Sequence, residues 1–224
     1  MVVMIACPDS EPKDLIPIPW AGKFPVFVIS HRGFSGEAPE NTLAAFMKAI
    51  EVGSDMIELD VHLSKDREVI VIHDDTLQRT TTGNGRVSDF NLRELRELDA
   101  GVWFGSPFRG EKIPTLKEVF ELTRGKILLH IELKEEELGR YDLIELTDRT
   151  LKEVERAGML DQVLFGSFNV SAVDRVREKH PRLPVALIYS KPWNFPQDAM
   201  GKRALSILSC SGTVLNQANL SKAH

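Results

Sequence analysis

An alternation of strand-like and helix-like segments between Phe24 and Tyr189 limits how this 224-residue chain can fold. Short apolar runs rich in β-branched residues predict strands, and apolar residues spaced three or four apart predict helices. Repeated strand and helix pairs form parallel sheets that helices cover. We therefore expect an α/β fold, a TIM-type (β/α)8 barrel, and a doubly wound sheet is the alternative.

The predicted elements follow one another with a single long interruption. Strands are predicted over 26–30, 56–63, 69–72, 127–133, 162–167 and 185–189, and helices over 43–50, 115–122, 141–156 and 170–179. Residues 75–114 break this rhythm with a turn cluster, one predicted helix over 92–98 and a Gly-rich aromatic piece. Because long loops inside compact domains are usually functional, we interpret this segment as an insertion after the third strand. The predicted layout is an extension over 1–24, a barrel over 25–208 and a tail over 209–224.

Charge and apolar length narrow the classes of partner. A net charge of −5 and a pI near 5.7 give no basic field for nucleic acid. No apolar run has the length of a transmembrane helix. Cys7 and Cys210 form neither a disulfide framework nor a metal-ligand spacing. The run Met1–Cys7 resembles the end of a lipoprotein signal without its charged start, so we expect a cytoplasmic location, with a lipid-anchored or exported form as the alternative.

The segment over 56–62 carries two carboxylates on one side of a predicted strand. Glu58 and Asp60 alternate with apolar residues at 57, 59 and 61, and successive side chains of a strand point to opposite faces. An i, i+2 pair of carboxylates aims its oxygens at one point, and hard divalent cations prefer such ligands. Taken alone, the same pattern also fits an amphipathic edge strand whose charges face water.

Ionisable residues end four successive predicted strands. They are His31, Glu58 with Asp60, His73, and Glu132 with Lys134. Active sites of parallel α/β folds form at the carboxyl ends of the strands, so we expect these side chains to share one mouth of the barrel. Either histidine alone would more often cap a strand than catalyse. We interpret His130 and His62, on the same polar faces, as interior packing and rim.

Several ordered motifs resemble those of the glycerophosphodiester phosphodiesterase family. In chain order they are His31-Arg32-Gly33, Glu40-Asn41-Thr42, Glu58-Leu59-Asp60-Val61, His73-Asp74, Ile113-Pro114-Thr115-Leu116, Glu132-Leu133-Lys134 and Ser167-Phe168. The resemblance implies a phospholipase-C-like barrel whose insertion helps to shape the substrate pocket. It also implies hydrolysis of small glycerophosphodiesters, such as glycerophosphocholine or glycerophosphoethanolamine, to glycerol 3-phosphate and an alcohol.

The resemblance also gives roles to the polar residues at the strand ends. It implies divalent-metal ligands at Glu58, Asp60 and Glu132, a general acid/base pair at His31 and His73, and phosphate contacts at Arg32 and Lys134. Three carboxylates suit Mg²⁺ and Ca²⁺ equally, so the choice between these cofactors stays open. The role of each histidine, and the choice between water and a substrate hydroxyl as nucleophile, also stay open.

The resemblance ends before the C-terminus. Residues 204–208 predict at most one more short strand, residues 209–224 match no family motif, and the barrel would have at most seven strands. We expect a product truncated at its C-terminal strands. Because an open barrel exposes unpaired strand edges, a homo-oligomer that covers the open edge is an alternative.

Three functions follow from these expectations. The first is a glycerophosphodiester phosphodiesterase. The second is a lysophospholipase D- or sphingomyelinase D-like phosphodiesterase of the same barrel superfamily, which an apolar lining around Trp103, Phe104 and Phe108 would favour. The third is an inactive truncated product that acts only as a binding fragment.

Overall fold

The computed structural model describes residues 2–6, 28–135, 142–189 and 207–211, with the backbone alone over the first and last of these ranges. The strands are β1 Val2–Ala6, β2 Ile29–His31, β3 Met56–Leu63, β4 Val69–Val71, β5 Leu128–Leu133, β6 Val163–Ser167, β7 Val185–Tyr189 and β8 Ile207–Ser211. The α-helices are α1 Leu43–Glu51, α2 Leu92–Leu95, α3 Leu116–Thr123, α4 Leu143–Ala157 and α5 Val170–Lys179. Three short 3₁₀ helices lie at Val87–Asp89, Ser106–Phe108 and Leu160–Gln162.

One eight-stranded sheet contains all of the described strands. Strands β2, β3, β5, β6, β7 and β8 neighbour one another in that order and pair in parallel, and β1 pairs antiparallel with β8. The parallel pairing and the helices between the strands confirm the predicted α/β architecture as a partial (β/α) barrel.

The bounds of most helices agree with the predictions to within two residues, but α2 stops at Leu95 rather than at 98. Strand β8 overlaps the short strand predicted over 204–208 and extends into the segment predicted as a tail. Residues 26–27 of the first predicted strand, the start of the helix predicted from 141, most of the extension over 1–24 and the tail after 211 lie outside the described residues. None of the helices in the described ranges is long and apolar enough to cross a bilayer.

The prediction of a third parallel strand over 69–72 is wrong. Strand β4 pairs antiparallel with β3, with Val71 opposite Val61 and Val69 opposite Leu63. Only residues 64–68 join the two strands, whereas a parallel connection needs a crossover of about a dozen residues. His73 therefore does not end a parallel strand. The hairpin carries it back alongside the carboxylates, where the backbone N–H of Ile72 donates to the carbonyl of Asp60 at 3.1 Å.

The two faces of the parallel strands differ in chemistry. The apolar residues between the carboxylates, such as Ile57, Leu59 and Ile131, join helix residues in the largest buried cluster among the described residues. The alternate positions point into the barrel, where Met56 packs with Leu164 and Ala186 in a small apolar cluster. The polar side chains of β3 and β5 lie in the same interior. Because side chains alternate along a strand, burying the apolar outer face places these polar side chains on the inner face of the sheet.

Most of the segment over 75–114 packs around its own small core. Leu77, Val87, Leu95 and Ile113 bury their side chains there against the hairpin strand β4 and residues just after it. Gly101 permits one tight approach, because a Cβ at this position would lie 2.0 Å from the backbone oxygen of Phe108. The segment is therefore a compact unit that is fixed to the hairpin.

Candidate active site

Three carboxylates from two neighbouring strands meet inside the barrel. Glu58 and Asp60 lie on β3 and Glu132 on β5, where Asp60 and Glu132 are direct partners in the parallel register. One oxygen from each lies within 4.8 Å of those of the other two. All three residues are buried, with exposures of 2%, 1% and 8% respectively.

Burial and repulsion between the carboxylates disfavour their charged forms. Burial, followed by the charge of Asp60, raises the pKa of Glu58 well above its ordinary value. Burial and the charge of Glu132 likewise raise the pKa of Asp60. Among the described residues, Glu58 Oε1 and Asp60 Oδ1 are buried without a hydrogen-bond partner. Unpartnered carboxylate oxygens that converge in this way fit a hard divalent cation such as Mg²⁺ or Ca²⁺.

Donors from two segments, the loop after β2 and the end of β5, orient the same carboxylates. The backbone N–H of Arg32 donates to Glu58 Oε2 at 2.9 Å, Asn41 Nδ2 donates to Asp60 Oδ2 at 2.8 Å, and Lys134 Nζ donates to Glu132 Oε1 at 2.8 Å. Each carboxylate thus has one oxygen fixed by the protein.

The loop after β2 has unusual backbone geometry at the two donor residues that it contains, Arg32 and Asn41. Arg32 and Asn41 have φ values of 57° and 56°, in the left-handed region that residues other than glycine rarely adopt. Gly33, at φ 79°, packs against α1 so closely that a Cβ there would lie 2.7 Å from Cβ of Ala45. Thr42 caps the helix by accepting from the backbone N–H of Ala45. Helix start, tight turn and site donors are therefore parts of one loop.

Two cationic side chains flank the carboxylates. Arg32 Nε lies 3.6 Å from Asp60 Oδ2 and Lys134 Nζ lies 3.7 Å from Asp60 Oδ1. Arg32 Nε is buried and has no hydrogen-bond partner among the described residues. Lys134 also lies over the half-exposed ring of Phe168, 5.9 Å from its centroid. Donors arranged around one small space suit an anion with several oxygens, such as a phosphate group.

The two histidines contact different residues of this site. His31 Nε2 is 3.8 Å from Glu58 Oε2, and burial together with the charge of Arg32 lowers the pKa of His31 to about 4. His73 Nδ1 is 2.6 Å from Asp74 Oδ1, and a hydrogen bond from Arg79 is the main reason that the pKa of Asp74 falls to about 2. A carboxylate has no proton to donate, so His73 donates from Nδ1. Its Nε2 accepts from Lys134 Nζ at 3.3 Å.

The structure therefore brings together all of the residues that the sequence nominated. They are His31, Arg32, Glu58, Asp60, His73, Glu132 and Lys134. A family model described as the glycerophosphoryl diester phosphodiesterase family matches residues 31–224. The chain belongs to this family. The match includes the segment over 209–224, for which the sequence motifs gave no counterpart.

Individual relatives agree with the family match. A glycerophosphodiester phosphodiesterase of Caldanaerobacter subterraneus subsp. tengcongensis is 45% identical over 172 residues, which are 75% of this chain and 70% of that protein. The Bacillus subtilis protein YhdW is 45% identical over 163 residues, 73% of this chain and 65% of that protein. This member of the family thus spans about two thirds of the length of these curated relatives.

A solved structure matches the fold as well as the sequence. It is a phosphodiesterase from Oleispira antarctica in complex with the product sn-glycerol 3-phosphate. The TM-score is 0.82 at 32% sequence identity, and the match covers 88% of this chain and 80% of the other. The parallel barrel of this family is therefore the fold of the present chain.

Four residues to which the sequence analysis gave no role support the site, either by direct contact or through a partner. Asn41 holds Asp60, Glu40 accepts from Arg32 Nη1 at 2.8 Å, and Asp74 accepts from His73. Arg79 joins Glu40 to Asp74. The sequence motifs contained the first three but gave none of them a role. No local pattern marked Arg79, and its partner Glu40 lies 39 positions away in sequence.

The other two barrel histidines are buried inside, as interior packing requires. His62 Nε2 lies 3.1 Å from the backbone carbonyl oxygen of His73, and burial lowers the pKa of His62 to about 4. Burial lowers the pKa of His130 to about 3, and neither of its ring nitrogens has a hydrogen-bond partner among the described residues. Both rings are therefore neutral near pH 7.

Proposed function

We propose that this protein hydrolyses glycerophosphodiesters to sn-glycerol 3-phosphate and an alcohol, in a reaction that requires a divalent cation. The convergence of three buried carboxylates, two cations and two histidines at one end of the sheet carries the proposal. The Oleispira antarctica phosphodiesterase, bound to the product sn-glycerol 3-phosphate, supports the substrate class.

Glu58, Asp60 and Glu132 would hold the cation, which is Mg²⁺ or Ca²⁺. When bound, such an ion neutralises phosphate charge and polarises a phosphorus–oxygen bond. The carboxylates balance the charge of the ion, and the donors to Glu58 and Asp60 keep their second oxygens fixed. Two strands of one sheet hold the ligands, so the site is rigid before substrate arrives.

Arg32 and Lys134 would bind the phosphodiester from two sides. The Arg32 guanidinium offers planar, paired donors and Lys134 offers a compact charge. Lys134 contacts Glu132 at 2.8 Å and His73 at 3.3 Å, so a phosphate oxygen beside Lys134 would lie close to His73. Phosphate binding thereby brings the reacting bond to a proton-transferring group.

His31 and His73 would act as the general acid/base pair. One ring takes the proton of the nucleophile, which is water or a substrate hydroxyl, and the other gives a proton to the oxygen of the leaving alcohol. The hydrogen bond from His73 Nδ1 to Asp74 directs Nε2 of this ring into the site. His31, at the end of β2, approaches the site beside Glu58, 3.8 Å from its Oε2.

A product assay tests the proposal directly. The purified protein is incubated with glycerophosphocholine, and released glycerol 3-phosphate is measured with chelator and after Mg²⁺ or Ca²⁺ is restored. We expect turnover that chelation abolishes and one or both ions recover. Undiminished turnover after exhaustive chelation contradicts the metal requirement, and no turnover with either ion contradicts the proposed activity.

A second candidate function is phosphodiester cleavage in lysophospholipids. The aromatic rings of Trp103, Phe104 and Phe108 stack edge to face at 5.6 and 5.5 Å, and Trp103 is 40% exposed. Exposed aromatic surface of this kind would accommodate an acyl chain. Rates with glycerophosphocholine and lysophosphatidylcholine separate the two functions, and Trp103→Ala should lower only the second rate if that function holds.

We also propose that a second copy of the chain covers the outer side of β2. Val28 and Val52 are 52% and 55% exposed, and they line one groove with Phe34. Clustered apolar surface of this kind marks interaction sites. Light scattering on the eluting protein should give twice the chain mass, and Val52→Asp should restore the mass of one chain.

A further inference from the structure

The guanidinium of Arg79 lies between two carboxylates that belong to different segments. Its Nε and Nη2 donate to Asp74 Oδ2 and Oδ1 at 2.6 and 3.0 Å. Its Nη1 and Nη2 donate to Glu40 Oε2 and Oε1 at 2.9 and 2.7 Å. These bonds use four of the roughly five N–H donors that a guanidinium carries. Arg79 is therefore committed to the protein and has little left to offer a substrate.

Each of the two carboxylates contacts one group of the candidate active site. Glu40 Oε1 accepts from Arg32 Nη1 at 2.8 Å, and Asp74 Oδ1 lies 2.6 Å from His73 Nδ1. A continuous series of contacts thus runs from Arg32 through Glu40, Arg79 and Asp74 to His73. One end of the series is the proposed phosphate contact and the other is a proposed proton-transfer group.

We propose that Arg79 is a positioning residue that sets the distance and orientation between Arg32 and His73. The inference rests on the proposed function and adds a residue from the insertion to its machinery. Glu40 and Asp74 would repel one another without the cation between them. The planar fork of Arg79 holds both carboxylates in one geometry, whereas a lysine would supply only a point charge.

The charge and the geometry of Arg79 can be tested separately. Arg79→Lys keeps the charge and loses the fork, and Arg79→Ala loses both. Because misplacing reacting groups by about 1 Å can cost about 100-fold in rate, we expect Arg79→Lys to lower kcat/KM on glycerophosphocholine by roughly 10- to 100-fold. Metal binding, measured by calorimetry without substrate, should be unchanged because no metal-ligand candidate contacts Arg79 in the described residues.

Arg175 provides a matched control on the outer helices. Its Nε and Nη2 donate to Asp148 at 2.8 and 2.7 Å, and its Nη1 donates to Glu178 at 2.7 Å. It is thus also a guanidinium between two carboxylates, but its partners lie on α4 and α5. Arg175→Lys should leave kcat and KM within twofold of those of the parent protein.

Chemical rescue separates positioning from folding. Guanidinium ion added to Arg79→Ala should raise the kcat of this variant at least tenfold, since a small cation can occupy the space between Glu40 and Asp74. A misfolded variant would not recover activity. The melting temperature of Arg79→Lys is a second control, and it should equal that of the parent protein. Loss of activity without rescue, or in proportion to lost stability, overturns the inference.

The two levels of proposal fail in different ways. If the parent protein releases no glycerol 3-phosphate with either metal, the proposed function falls and the positioning role falls with it. If the parent turns over and Arg79→Lys keeps kcat and KM within twofold, only the positioning role is overturned. A tenfold or larger loss with unchanged metal affinity, together with rescue of Arg79→Ala by guanidinium ion, supports both.

Discussion

The two halves of the candidate active site are built in different ways. The carboxylates Glu58, Asp60 and Glu132 lie on adjacent parallel strands, and their positions follow from sheet register alone. His73, Asp74 and Arg79 lie after an antiparallel hairpin, and hydrogen bonds between side chains hold them in place. The backbone of the sheet makes the first half rigid, whereas the second half depends on hydrogen bonds between charged side chains.

This difference predicts how each half responds to substitution. Changes among the strand carboxylates should alter metal binding and leave the fold intact or stronger. Changes among the hairpin residues should alter catalysis and leave metal binding intact.

Glu58→Gln should cause the largest loss of activity. It removes one carboxylate from the cluster, and metal catalysis supplies several kcal/mol of transition-state stabilisation, so kcat/KM should fall by at least about 1000-fold. Because burial and repulsion already raise the pKa of Glu58, the metal-free variant should unfold at the same urea concentration as the parent or a higher one. Strong metal binding by the variant would contradict the assignment of Glu58 as a ligand.

His31→Ala and His73→Ala should each lower the rate on glycerophosphocholine by about 100- to 10,000-fold, the usual contribution of general acid/base catalysis. A p-nitrophenyl ester of glycerol phosphate sharpens the comparison, since its leaving group needs no proton. The variant without the acid should regain most of its rate on this ester, and the variant without the base should not. Near-normal turnover by both variants on glycerophosphocholine would refute the two-histidine mechanism.

Metal affinity should rise by up to about tenfold per pH unit as the pH is raised above the ordinary titration range of a carboxyl group. The raised pKa of Glu58 means that the metal-free site retains a proton above the ordinary range of a carboxyl group, and metal binding must displace it. Lower pH therefore competes with the metal. Calorimetry in two buffers with different ionisation enthalpies should detect the released proton, and identical heats in both buffers would contradict this prediction.

Gly166→Ala should destabilise the barrel interior by about 1–3 kcal/mol, the usual cost of overpacking a core. A Cβ at this position would lie 2.2 Å from Nε2 of His130, which is itself buried. Urea unfolding of the metal-free protein measures the effect. Gly36→Ala is the matched control, because a Cβ there meets no atom within 4 Å. Equal unfolding midpoints for the two variants would show that His130 can move aside.

The same contrast explains what could be predicted from the sequence. Alternation along β3 and β5 placed Glu58, Asp60 and Glu132 on the inner face, because one buried apolar face fixes the other. His73 was correctly predicted to lie beside the carboxylates, but it was wrongly placed at the end of a parallel strand. The short linker over 64–68 already excluded a parallel crossover, so the hairpin was readable from chain length.

The supporting side chains could not be predicted by periodicity. Asn41 lies just before the helix cap Thr42, and its amide donates to Asp60 from a left-handed backbone conformation that no sequence pattern indicated. Arg79 shows no pattern at all, and its pairing with Glu40 spans 39 positions. Contacts of this kind depend on how the insertion packs against the loop after β2, which is a property of the assembled fold.

The placement of Arg79 has a practical consequence for loop engineering. The segment over 75–114 would be a natural region to exchange between relatives in order to change substrate range, because it packs around its own small core. Its first residues nevertheless contact Glu40 and Asp74. A graft should therefore begin after Arg79, so that a foreign loop inherits the native proton-transfer group together with the anchor that holds it.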